Sequence, residues 1–181
     1  ASISAGVSAG DNAISGTINA LVADNTVRTI ADGGTIRSAS DAALESKDIT
    51  SLYNCAGALA ASASNAIGAT VVALVMDKDV IMSATDADIT AGGDVAAKAV
   101  TRDDVWLLAL TFAGSAGSAG VAGGANVAVF GGKTDASLGG DITSGGDVRL
   151  ETDADERFIN AAMTAGVSAG TGVSAVAVVT Y

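Results

Sequence analysis

The side chains best suited to chemistry in this chain are carboxylates lying close together: Asp86 with Asp88, Asp103 with Asp104, and Asp153 and Asp155 with Glu156. Oxygen-rich turns of this kind bind Ca²⁺, and paired carboxylates run the acid and base steps of polysaccharide cleavage. Little else is reactive. There is no His, and Cys55 is the only Cys, so a transition-metal site or a nucleophile–His pair has almost no raw material. Cys55 has no partner for an intrachain disulfide and reads as a small buried apolar residue. The glycine runs Gly131–Thr134 and Gly114–Gly124 lack the Lys-Ser/Thr spacing and following helix of a phosphate loop. No catalytic motif is present.

What positions these residues is a repeat. Asp141–Val148 reads DITSGGDV, Asp88–Val95 reads DITAGGDV, and Thr35–Ala42 is a degenerate copy, each 53 residues from the next. The same shift carries Asn12–Ile14 onto Asn65–Ile67, Leu52 onto Val105 and Phe158, and Ser62 onto Ser115 and Ser168. Ile36, Ile89 and Ile142 therefore share a phase, as do Asp41, Asp94 and Asp147. Units of approximately 1–53, 54–106 and 107–159, with a partial unit 160–181, make the chain a single array. Small compensating shifts are needed between Gly120 and Gly140. No polar cap marks either end, so the ends are expected to continue into further repeats or to stack on a neighbour.

Within a unit, short bursts of β-formers such as Ile18–Val22, Thr26–Ile30, Val71–Met76 and Val105–Phe112 alternate with clusters of turn residues. These clusters are Ala23–Asn25, Asp32–Gly34, Asp77–Lys78, Ala91–Gly93, Thr101–Asp104, Gly131–Lys133 and Gly139–Gly140. That is an all-β pattern. Phe158–Val179 alternates apolar and polar with period two, as a strand with one face inward does. The Ala/Gly/Ser tracts Ala56–Ala69, Gly114–Ala125 and Ala165–Ala175 are the ambiguous part. Ala favours helix over Ala58–Ala66, but recurrent Gly in the equivalent tracts favours strand.

The composition, with 23 Gly, no Pro and 3% aromatics, suits thin layers of small side chains better than one wide core. A parallel β-helix meets that need. With about 18 residues per rung, a unit makes about three rungs and the chain about ten, over roughly 50 Å. Val, Ile, Leu and Ala would point inward, and Thr, Ser, Asp and Lys outward. On this geometry Asp103 and Glu156 share a phase but lie about three rungs, roughly 14 Å, apart, too far to share one ion. The acidic groups then read as solvated turns. A sugar-cleaving groove would need aromatic platforms. Tyr53 and Trp106 are instead repeat-equivalent to Ile159, which suggests a packing column.

The net charge of −11 argues against nucleic acid or an anionic membrane as partner. No apolar run of transmembrane length occurs, and the first residues form no signal peptide. No cofactor is expected; Ca²⁺ alone is compatible in principle, with Asp103, Asp104, Asp153, Asp155 and Glu156 as its candidate ligands.

The DIT(A/S)GGDV units, followed by AGVSAG (Ala165–Gly170) and VAVV (Val176–Val179) tracts, resemble the repeats of filamentous haemagglutinin-like and leukotoxin-like bacterial surface adhesins and related autotransporter passengers. The resemblance covers nearly the whole chain. It implies a right-handed parallel β-helix, export to the cell surface, and service as the non-catalytic shaft of an adhesin or extracellular filament, assembling end to end. No ligand-binding residue carries over. Two alternatives differ in class: an adhesive module binding a host glycan or protein through its Thr/Ser/Asp face, and a β-helical polysaccharide-cleaving enzyme.

Overall fold

Burial alternates with period two through most of the chain, the mark of extended backbone with one face against a core. The computed structural model describes all residues, Ala1–Tyr181, and is all-β. Eleven strands follow in order: β1 (Ser2–Ser8), β2 (Asn12–Asp32), β3 (Thr35–Ser38), β4 (Ala42–Ser62), β5 (Asn65–Thr85), β6 (Asp88–Ala91), β7 (Val95–Ser115), β8 (Ala119–Leu138), β9 (Ile142–Ser144), β10 (Val148–Ser168) and β11 (Thr171–Thr180). They form three sheets, ordered β1-β4-β7-β10 (sheet I), β2-β5-β8-β11 (sheet II) and β3-β6-β9 (sheet III), and every pairing is parallel. The chain visits the sheets in the same sequence each time. Sheets I and II face one another, and the short strands of sheet III lie at one margin.

The pairing register corrects the expected rung length. Ala42 pairs with Val95 and Val95 with Val148; Ile36 pairs with Ile89 and Ile89 with Ile142. A residue thus meets its equivalent in the next unit directly, one strand spacing of about 4.8 Å away, not after three rungs. A 21-residue strand can extend roughly 70 Å, while four stacked strands rise only about 15–20 Å. The molecule is a broad slab, not the narrow rod of about ten rungs.

The strands are long because several expected turns are not turns. Ala23–Asn25, Asp77–Lys78, Thr101–Asp104 and Gly131–Lys133 all lie inside β2, β5, β7 and β8. Their local turn preference is overridden by ladder bonds, on both sides in β5 and β7 and on one side in β2 and at Gly131–Lys133 of β8, and by polar partners across the core. The glycine-bearing clusters around Gly33, Gly92 and Gly140 do form turns. The Ala/Gly/Ser tracts are strands joined by tight turns, with no helix over Ala58–Ala66. The shift between Gly120 and Gly140 resolves into two turns. One residue is inserted at Ala116–Ser118, moving the β5–β8 register to Asn65↔Ala119, and the frame is restored before Ile142.

A serine device recurs at four of the turns. Oγ of Ser8, Ser38, Ser115 and Ser144 accepts the N–H two residues on, at 3.1–3.3 Å, which holds the chain as it leaves the strand. At the Gly-Gly-Asp turns, Asp41 Oδ1 accepts the Asp94 N–H and Asp94 Oδ1 accepts the Asp147 N–H, each at 2.9 Å. A Cβ on Gly93 or Gly146 would collide with the carboxylate of Asp41 or Asp94, so the second glycine of the motif makes room for the aspartate of the unit before.

The core between sheets I and II is divided along the slab. Near the Ala/Gly tracts it holds Ala60, Ala66, Ala113 and Ala122; next come Val72, Leu74, Met76, Val105 and Leu107; then Val80, Met82, Ala97 and Ala99; and at the sheet III margin Ala84, Ile89 and Val95. Where side chains are small the sheets approach closely enough for Asn and Thr to bond across. Asn19 donates to Cys55 O, Asn54 to Ala73 O, Asn126 to Ala161 O, and Thr70 to Leu110 O. Outward faces are not uniformly polar as expected. Ile3, Val7, Ile14, Ile18, Leu110, Phe112 and Met163 are exposed.

Candidate functional site

The alternation that builds β5 puts Val72, Leu74, Met76, Lys78, Val80 and Met82 on the inner face. Lys78 is thus an ammonium inserted between two aliphatic clusters. It is met from sheet I by Asp48 of β4 and Asp103 of β7. Its Nζ lies 2.9 Å from Asp48 Oδ2, touches Asp103 Oδ1, and donates to Thr50 Oγ1 at 2.8 Å. The Lys78, Asp48 and Asp103 side chains are 5%, 10% and 6% exposed. Asn25, one strand from Lys78 in sheet II, donates to Asp48 Oδ2 at 2.6 Å. Thr101 and Thr134 hydroxyls bond at 2.6 Å beside them. Desolvating three charged groups costs several kcal/mol each, and breaking such a pair leaves an unpaired buried charge. Two carboxylates also face a single ammonium. The cluster is thus a poor device for stability alone.

Above this cluster a cavity of about 580 Å³ opens between the sheets, lined by Lys78, Asp103, Thr134, Glu156, Arg157 and Phe158 among others. Phe130 and Phe158 pack edge to face at its side, with ring centroids 4.6 Å apart.

The five candidate Ca²⁺ ligands fall in strands, not solvated turns. Asp103 is buried against Lys78. Glu156 pairs in register with Asp103, one strand spacing away instead of the expected roughly 14 Å, and lines the cavity mouth. Asp104 faces outward and accepts the Trp106 Nε1–H at 2.8 Å. Asp153 lies 3.4 Å from Arg102 and 3.9 Å from Lys98, and Asp155 is exposed in register with Arg102. No three His, Cys, Asp or Glu side chains converge as a metal site.

Two features occupy the outer face of sheet I. Opposite charges alternate along ladders: Glu45, Lys98 and Glu151 stand in register, and Lys98 Nζ bonds Glu151 Oε1 at 2.8 Å. That hydrogen bond raises the Lys98 pKa above its ordinary 10.5 against the desolvation that opposes it, and the charges of Glu151, Asp153 and Glu45 add to the rise. Further along, Tyr53 and Trp106 stack with centroids 6.1 Å apart, and Arg157 lies 5.2 Å over the indole. They do form a register column with Ile159, but on the surface. Cys55 is half-buried, lining an outer apolar groove with Ile3 and Leu110.

Lys78 and Asp48 escaped sequence reasoning because Asp77–Lys78 looks like a turn. The available signal was phase: Lys78 falls on the inward beat of an otherwise aliphatic alternation. No protein-family model matches the chain, and no curated protein or solved structure is significantly similar to it.

Proposed function

We propose that the chain is a non-catalytic structural repeat segment, the shaft of an extracellular bacterial filament or adhesin, coiled as a right-handed parallel β-solenoid with one 53-residue unit per turn. The observation that carries this reading is the Asp41–Asp94–Asp147 ladder. Each unit presents the acceptor that fixes the turn of the next, so the structure extends by iteration. The right hand is the one that parallel crossover connections adopt in nearly all cases. Open strand edges on all three sheets give further units, or a second copy, a template to pair with. The surface location follows from the repeat resemblance.

Small-angle scattering together with negative-stain microscopy tests this. A slab roughly 70 Å across, thickening by one strand spacing when a further 53-residue unit is appended, supports iteration. A near-spherical particle overturns it.

A second reading is favoured by one feature: Tyr53, exposed at the end of a stack that Trp106 and Arg157 continue, offers a ring on which a sugar can lie. In that reading the segment is itself adhesive. Glycan-array binding that disappears in Trp106→Ala supports it, and an array blank with the parent chain removes it.

A further inference from the structure

We propose that the Lys78 cluster is a self-modifying site that forms an isopeptide amide between Lys78 Nζ and Asp103 Cγ, tying sheet II to sheet I through the core. The reactants are already in place. Nζ touches Asp103 Oδ1, so Cγ is one bond length beyond, close to the roughly 3–3.5 Å from which bonds form. The Lys78 and Asp103 side chains are almost wholly shielded from solvent, and a neutral lysine amine in such a site is a nucleophile. Thr50 Oγ1 accepts from Nζ and sets the direction of the amine. Asp48, also against Nζ, is held by the Asn25 amide and is the proton carrier.

The ammonium of Lys78 first passes a proton to the Asp103 carboxylate it touches, giving a neutral amine and a carboxylic acid. The amine lone pair then attacks Cγ and forms the C–N bond. Asp48 takes a proton from the now-cationic nitrogen and delivers it to the departing hydroxyl. The C–O bond breaks, one water leaves, and Asp48 ends as it began. One ammonium and one carboxylate become one amide and one water, with no oxidant or co-reactant. Lys78 and Asp103 both border the open cavity, which gives the released water a route out. The product neutralises the pair that was costly to bury and leaves Asp48 bonded to Asn25.

Intact-mass spectrometry of the purified, denatured chain, followed by peptide mapping, decides the matter. The expected result is a mass lower by one water, resistance to trypsin after Lys78, and a branched peptide joining Lys78 to Asp103. Lys78→Met and Asp48→Ala should each run at full mass. The wild-type measurement stands even if a variant fails to fold. A full-mass wild-type chain overturns the proposal. So does water loss that persists in Lys78→Met, which would mark a succinimide such as one at Asp32-Gly33, or a branch that maps to Asp48 in place of Asp103.

Discussion

Asp94 joins three units through two bonds, donating its N–H to Asp41 and accepting that of Asp147. Asp94→Ala keeps the first bond and orphans the Asp147 N–H. An exposed charge-assisted bond of this type contributes about 1–2 kcal/mol, so urea unfolding should show a loss of that size. On the outer face, the raised pKa of Lys98 means that the folded state holds this proton more tightly than the unfolded chain. Its contribution is complete below pH 10.5 and disappears as pH climbs through the higher folded value. Glu151→Gln removes the main cause, and an NMR titration should then show the Lys98 pKa falling back towards 10.5. At this scale the Gly-Gly-Asp motif was legible as a marker of the repeat. Its aspartate's bonding was not, because the partner is visible only once residues 53 apart are known to pair directly.

The strands are legible in their alternation but not in their length. Asp, Asn and Gly inside β2, β5 and β8 carry strong turn preferences. Only contacts from the opposite sheet, such as those reaching Lys78 and Asn25, reveal why the chain runs straight through them. The Ala/Gly tracts are strands because sheets I and II close tightly there, which demands small inward residues. At Gly68 an added Cβ would sit 2.9 Å from Thr111 Cγ2 and 3.1 Å from Phe112 O, whereas at Gly123 nothing lies within 4 Å. Gly68→Ala should therefore lose about 1–3 kcal/mol through overpacking. Gly123→Ala should be neutral or stabilise by up to about 1 kcal/mol, by restricting the unfolded chain. Thermal melts of the two variants make the comparison. In sheet III, Ile89 is fully buried between Ile36 and Ile142, and Ile89→Ala should cost about 2–5 kcal/mol.

Across the whole molecule, exposed apolar side chains are spread over the outer surface, Val22, Ile30, Ile49 and Leu150 included, but charge is not. The half built from the Ala/Gly tracts shows exposed Ile3, Val7, Ile14, Ile18, Phe112 and Met163. The other half carries the Lys98, Glu151, Asp153 and Arg102 ladders. Exposed apolar side chains on the outer face of either sheet promote association. Ile14 and Ile18 are 73% and 77% exposed, so replacing both with Thr should leave stability within about 0.5 kcal/mol per site while reducing light scattering by concentrated solutions. The all-β class and the 53-residue spacing were both readable from the sequence, whereas the flat cross-section was not. A repeat length states how often a pattern returns, not how many times the chain bends before it does.

That every ladder joins residues 52–54 positions apart governs how such a chain finds its shape. No hairpin ladder exists to zip first, and although consecutive strands meet across the core, each ladder must close a loop of 52–54 residues before its backbone bonds form. Refolding after rapid dilution from urea should accordingly be slower than for a helical protein of equal size, with the first pairing between strands 52–54 residues apart rate-limiting and later ones laid down quickly upon it.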